Sequence, residues 1–256
     1  RDGFISSGGP FVEKFEKKFA KRLKRKFAIS VSSGTAALQL AFESLNMKKK
    51  DQVILPSFTI ISCILPIIRC GAVPILVDSD PVTWNMDVEK IEDIITSKTK
   101  AIIAPHIYGL PIDMDPLLKI AEKYKLKVIE DAAESLGAKY KGEHVGHLGD
   151  IGCFSFNGNK VITCGGGGML VTDNEAWAQK AKHLTTQAKV DPLEYIHNDI
   201  GYNYRMTNIQ AAIGVAQMEE LDNFIERKRQ IAIAYAEGLS TLEDFTLMSE
   251  SEFAFS

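Results

Sequence analysis

The chain has 256 residues, enough for one large α/β domain or for one domain and the start of a second. Hydrophobic residues make up 45% and charged residues 25%, and the formal net charge is -3, the balance of a soluble globular protein with no general electrostatic case for nucleic-acid binding. No apolar run approaches the ~20 residues that span a bilayer, and the opening Arg1-Asp2-Gly3-Phe4 lacks the apolar core of a signal peptide. Cys63, Cys70, Cys153 and Cys164 form no C-x-x-C pair and no zinc-spaced cluster, so they read as free thiols of a reducing cytosol. The expectation is a cytoplasmic protein with no membrane and no nucleic-acid partner. The chain opens without Met and stops in the apolar stretch Glu252–Ser256, so it is expected to be a piece of a longer protein.

In chain order, Phe11, Phe15, Phe19 and Leu23 recur every four residues and line one face of a helix over 10–26. Lys14, Lys17, Lys18, Lys21, Arg22, Lys24, Arg25 and Lys26 cover the rest, either as a basic binding surface or as the solvated face of a packed helix. Apolar runs at Ala28–Val31, Val53–Leu55, Val73–Val77, Ala101–Ala104, Val128-Ile129, Cys153–Phe156 and Met169–Val171 read as buried strands. Between them, 114–124 reads as a helix capped by Asp113, with Leu117, Leu118, Ala121 and Tyr124 on one face. A single long helix is expected over 207–233, with Ile209, Ile213, Ala216 and Leu221 among its apolar positions. Strand–helix alternation implies a mainly parallel sheet between helices, and such sheets bind ligands outside the carboxyl ends of their strands.

Chemistry should therefore follow the strands. Ser32–Leu38 follows the first and opens a helix; its N-terminus suits a phosphate, with Ser33, Gly34 and Thr35 as contacts, although a plain N-cap explains the same residues. Asp131 emerges at the end of Val128–Asp131, where it is either a helix cap or a carboxylate facing a ring cation; Glu134 lies three residues on. Phe154–Lys160 ends in a lysine, with Ser155 five residues earlier, and runs on to Gly165–Gly168, read either as room for a planar cofactor or as a flexible hairpin. A phosphate cradle, an acid for a ring nitrogen and a turn-borne amine are together the parts that pyridoxal 5'-phosphate requires.

At this point the sequence resembles the DegT/DnrJ/StrS family of pyridoxal-phosphate-dependent nucleotide-sugar aminotransferases. The matching blocks run in order through Gly3–Gly9, Ser32–Leu38, Gly71–Asp78, Tyr108–Asp115, Glu130–Ala138, Phe154–Lys160 and Gly201–Ala212. The resemblance implies an aspartate-aminotransferase-like large domain (fold type I) over 1–238, with 239–256 the truncated start of a small C-terminal domain. It implies that Lys160 holds the cofactor and serves as the catalytic base. Asp131 would face the pyridine nitrogen, Glu134 the ring hydroxyl, and Ser33, Gly34, Thr35 and Ser155 the phosphate. Asn203 would reach the phosphate of a neighbouring subunit, which implies a homodimer with a shared site. Asp80–Asp87, Ser155–Lys160 and Gly201–Thr207 bring the chain nearer to members that aminate C4 of a GDP-linked 4-keto-6-deoxymannose with glutamate as donor. A UDP- or dTDP-linked ketosugar, or a catalytically inactive binding or regulatory role, are the alternatives. Three departures stand out: Ile60 where relatives stack an aromatic residue, with Phe58 nearby; Gly166 where near relatives carry an acid; and the missing small domain.

Overall fold

The computed structural model describes residues 3–191, 193–242, 246–248 and 250–256; Arg1, Asp2, Pro192 and residues 243–245 and 249 of the C-terminal segment lie outside the described residues. Seven strands form one sheet: β1 (Phe27–Val31), β2 (Gln52–Pro56), β3 (Val73–Val77), β4 (Thr99–Pro105), β5 (Lys127–Asp131), β8 (Ile151–Ser155) and β9 (Gly168–Thr172), in the order β1-β9-β8-β5-β4-β2-β3. β6 (Lys139–Tyr140) and β7 (Glu143–His144) form a small hairpin, which β12 (Ala254–Phe255) extends by pairing with β6; β10 (Lys189–Asp191) and β11 (Ile196–His197) form another. The helices are α1 (Pro10–Arg22), α2 (Gly34–Ser44), α3 (Ile61–Arg69), α4 (Met114–Tyr124), α5 (Glu175–Thr185), α6 (Asn208–Glu219) and α7 (Leu221–Leu239).

Each apolar run in the sequence becomes a strand of the main sheet. All run parallel except β9, which is antiparallel to both β1 and β8. Because β9 is reversed, it starts at the same edge at which β8 ends, and the 156–167 connection folds back across the carboxyl ends of the parallel strands. Alternation along the strands supplies both faces. Ala101 and Ile103 of β4 join the core beneath α2, α3 and α5, whereas Ile102 and Ala104 join the core with α4. On that second side, α1 and α6 cover β8 and β9 through Phe15, Phe19, Phe154, Met169 and Val215. Phe15 and Phe19 are fully buried, each contributing roughly 1.5–3 kcal/mol of transfer free energy.

Several cations of α1 and the turn after it are paired within the chain: Lys18 with Glu219 (2.8 Å), Arg22 with Asp222, Lys24 with Glu143 (2.9 Å) and Arg25 with Asp173 (2.9 Å). Four local expectations need correction. The 207–233 helix is two helices broken at Glu220, where Leu221 turns into the core at 1% exposure. The buried stripe of α6 is Ala211, Val215 and Met218, set by packing against α1, which leaves Ile209 and Ile213 exposed. Asp113 precedes α4 without capping it, because its Oδ1 accepts the Tyr140 hydroxyl instead (2.5 Å). The fourth concerns β3: it is the sheet's edge strand, and only Val77 in it is buried.

Candidate active site

The residues singled out for chemistry gather at the carboxyl edge of the sheet. β1 leads into Ser33, β2 into Phe58–Ile60, β4 into His106–Tyr108, β5 ends in Asp131, and β8 ends in Ser155. Two adjoining chambers open there, of about 250 Å³ and 440 Å³, and both are lined by Ile60, Asp131, Ala133, Glu134 and Lys160. Ser33, Gly34, Thr35 and Ser155 line the larger one only; Phe58, Thr59, His106 and Tyr108 line the smaller.

At the phosphate-type end, Ser33 is the N-cap of α2 and its Oγ accepts the Ala36 N–H (3.1 Å), so the plain capping role is real. The remaining first-turn N–H groups have no i−4 carbonyl within the helix and suit an anion. Gly34 permits a close approach: a Cβ there would lie 2.8 Å from Ser155 Cβ. The glycine run does the same from the other side, since a Cβ on Gly168 would lie 2.5 Å from the Ser33 backbone. The end of the run, Gly167 and Gly168, is thus packed against the α2 N-terminus, whereas Gly165 faces open space. Thr35 Oγ1 shares a 2.8 Å hydrogen bond with Ser62 Oγ of α3, a lining residue that sequence reasoning missed.

Lys160 Nζ donates to Glu134 Oε1 (3.2 Å), and its side chain is only 16% exposed. Glu134 Oε2 accepts the Tyr108 N–H (3.1 Å), which holds Tyr108 in a left-handed conformation (φ 51°) at the mouth. Phe58, Trp84 and Tyr108 meet edge to face there, with centroids 6.0–6.5 Å apart, and Phe58 lines the cleft beside Ile60. Gly166 lines the larger chamber, and a side chain there would meet the Gln210 amide at 3.3 Å.

Asp131 is 5% exposed; its Oδ1 accepts the Ala133 N–H (3.1 Å) and its Oδ2 the Cys63 thiol (3.1 Å). Burial pushes its carboxyl above the ordinary range, further than Cys63, Ala133, His106 and Lys160 pull it down. It is a carboxylate short of a cation. Glu130, its neighbour, has full company on the other face of β5. His106 Nε2 lies 3.1 Å from Glu130 Oε2, and the N–H groups of Gly146 and Gly149 also donate to the carboxylate. His106 Nδ1 accepts the Ile112 N–H (3.2 Å), so Nε2 carries the proton toward Glu130. The His106–Glu130 pair was invisible in the sequence, where nothing links residues 24 apart.

Asn203 does not join this group. It is exposed, bridged to Thr186, and lines neither chamber. The four cysteines are free, three of them buried. Among the described residues, no group of His, Cys, Asp or Glu could hold a metal ion, and no helix is long and apolar enough to cross a membrane.

A buried acid and a lysine set beside a helix N-terminus, at the carboxyl edge of a mostly parallel seven-stranded sheet, are the arrangement of a sugar-aminotransferase fold. The chain belongs to the DegT/DnrJ/EryC1/StrS aminotransferase family, whose profile matches residues 1–254. It is 49% identical over 239 residues to the GDP-perosamine synthase of Escherichia coli O157:H7, covering 93% of this chain and 66% of that protein. Among solved structures it is similar to S. venezuelae DesV in complex with a ketimine intermediate (TM-score 0.93, 33% identity, 99% of this chain and 68% of that one). It is also similar to NtdA from Bacillus subtilis with bound cofactor PMP (TM-score 0.86, 35% identity, 98% and 58%). The chain thus spans about two thirds of the length of the curated relative it matches.

Proposed function

We propose that this chain is the cofactor-binding part of a cytoplasmic pyridoxal-phosphate-dependent aminotransferase that moves an amino group from glutamate to a GDP-linked 4-keto-6-deoxy sugar. The observation that carries the reading is the meeting of Lys160, Asp131 and the Ser33–Thr35 helix end at one strand edge, in a chain 49% identical to a GDP-perosamine synthase.

The residues fit the cofactor. Asp131 is a buried carboxylate whose two hydrogen bonds leave its charge unbalanced, which suits a pyridinium N–H. Gly34 and Gly168 clear the space at the α2 N-terminus where Ser33, Thr35 and Ser155 would hold the phosphate. Ile60 and Ala133 would offer apolar contact for a ring, and Glu134, in the same lining, would face its hydroxyl. When bound, pyridoxal phosphate supplies an electron sink for the carbon being aminated or deaminated.

Lys160 then has two tasks. Its amine would anchor the cofactor, and when free of it Nζ would act as the base and acid that takes and returns the proton of the donor's Cα. Glu134 Oε1, 3.2 Å away, keeps Nζ over the cleft during that exchange. In the second half the same amine works in reverse on the sugar's C4. Asp131 would keep a positive charge on the ring nitrogen by direct pairing. Asn203 is exposed and lines neither chamber of its own chain; in this reading it would serve a second copy, as a homodimer with a shared site requires. The 239–256 segment is read as the start of the small domain.

Lys160→Ala in the full-length protein should abolish turnover and remove the near-visible band of the bound cofactor; persistence of that band would sink the assignment. A turnover panel of GDP-, UDP- and dTDP-linked ketosugars identifies the acceptor, and preference for a UDP or dTDP sugar would overturn the GDP reading. Sedimentation tests the dimer: a monomer with full cofactor affinity removes Asn203 from the site.

A further inference from the structure

The acid beneath the cleft is held from an unexpected side. Cys63 sits in the first turn of α3, fully buried, and its Sγ lies 3.1 Å from Asp131 Oδ2. Thr59 Oγ1, one turn earlier, donates to the same sulfur at 3.3 Å. The sulfur therefore accepts from Thr59 and donates to Asp131, a relay in which each bond polarises the next. Apart from the Ala133 N–H on Oδ1, the thiol is the only donor to this carboxylate among the described residues. Burial and the Asp131 charge push the Cys63 thiol well above its ordinary range, so it stays protonated and able to donate.

We infer that Cys63 is a positioning residue for Asp131: its thiol, held by Thr59, aims the carboxylate into the cleft and stabilises its anionic form. The inference rests on the reading of Asp131 as the partner of the cofactor's ring nitrogen. A carboxylate that lost this donor would be held by the Ala133 N–H alone and would hold its charge less well, because a buried anion depends on the hydrogen bonds made to its charged form. The other titratable groups around Asp131 are His106 at the end of β4, Cys153 on β8, Lys160 on the loop after β8 and Glu134, which lines the same chambers. None of them makes a side-chain hydrogen bond to either Asp131 oxygen. The control over this acid that the fold can vary independently is therefore the identity of residue 63.

The test is a graded series: Cys63→Ala removes the donor, and Cys63→Ser replaces it with a stronger one of nearly the same volume. The first readout needs no cofactor. The Asp131 carboxyl carbon, assigned in the labelled chain by comparison with Asp131→Asn, is followed by NMR against pH. Its titration midpoint should rise in Cys63→Ala and fall in Cys63→Ser. The second readout is pyridoxal-phosphate affinity across pH. Cys63→Ala should bind about tenfold more weakly on the acid side, the loss fading as pH rises, and Cys63→Ser should restore wild-type binding. Identical midpoints across the three proteins would overturn the inference and leave Cys63 as core packing, as would a loss of affinity that is flat with pH and not rescued by serine. If the unaltered protein takes up no pyridoxal phosphate, the cofactor reading fails on its own, and the carboxyl titration still decides Cys63. Should Cys63→Ala not fold, the serine variant's shift in the opposite direction carries the decision.

Discussion

Glu130 and Asp131 are adjacent carboxylates at the end of one strand, and the two faces of β5 treat them in opposite ways. Both are buried, at 0% and 5% exposure. Burial raises both, but Glu130 receives His106 and two backbone N–H groups, which outweigh burial and hold it below its ordinary range. Asp131 receives one N–H and one thiol, and burial wins. A satisfied buried acid fastens loops together; here Glu130 ties the 146–149 turn to the end of β4. An under-satisfied one at a cleft is a site waiting for a cation. The difference between architecture and chemistry in this fold is a matter of how many donors each oxygen finds.

The sharpest way to break the comparison is at Glu130. Glu130→Gln keeps the shape but turns one acceptor into a donor facing a backbone N–H. It should cost about 3 kcal/mol of unfolding free energy in a denaturant titration, because a buried group is left unpaired. A variant as stable as the original would mean that the Glu130 network is not structural.

Asp131→Asn should do the reverse in the cofactor-free chain. Removing a poorly stabilised buried charge should raise the melting temperature at neutral pH by about 3 °C, on the order of 1 kcal/mol for a chain of this size. The same change should weaken pyridoxal-phosphate binding roughly a hundredfold, since an amide cannot balance a ring cation. The signs separate with pH. The lowered Glu130 contributes stability that is present above its ordinary value of 4.5 and lost as pH falls through its folded value. The raised Asp131 contributes stability that is present below its ordinary 3.8 and lost as pH rises through its folded value. The advantage of Asp131→Asn over the original chain should therefore grow on going from acid to neutral pH, while the deficit of Glu130→Gln should shrink toward acid. A pH-independent difference for either variant would contradict the assignment.

The sheet was legible in the amino-acid order because its strands are buried and their apolar runs are continuous. The position of the site followed from that, since Ser33, Asp131 and Lys160 stand beyond a run and Ser155 stands near the end of one. What the order hid depends on contacts distant in sequence. Apolar periodicity carries no direction, so the reversal of β9 was not visible. Nothing at Cys63 announces an acid 68 residues away, nor does His106 announce Glu130. On α6 the pattern of Ile209, Ile213 and Ala216 suggested the wrong face, because burial there is set by the approach of Phe15 and Phe19 on α1 and not by hydrophobicity alone.

His106 touches both halves of the comparison and gives its finest test. Its ring donates to Glu130 through Nε2 and accepts from Ile112 through Nδ1, while its backbone N–H donates to the Asp131 carbonyl (3.1 Å). Glutamine can place an amide N–H near the Nε2 position but has no acceptor where Nδ1 lies. His106→Gln should therefore keep the bond to Glu130 and leave the Ile112 N–H unpaired, a loss of about 1 kcal/mol, the smallest effect of the set. Because the backbone bond is untouched and no side-chain bond to Asp131 is removed, the Asp131 titration should move far less than in Cys63→Ala. If His106→Gln shifted that titration as much as Cys63→Ala does, the two carboxylates would be coupled through the imidazole. The separation between a structural and a chemical acid on the two faces of β5 would then fail.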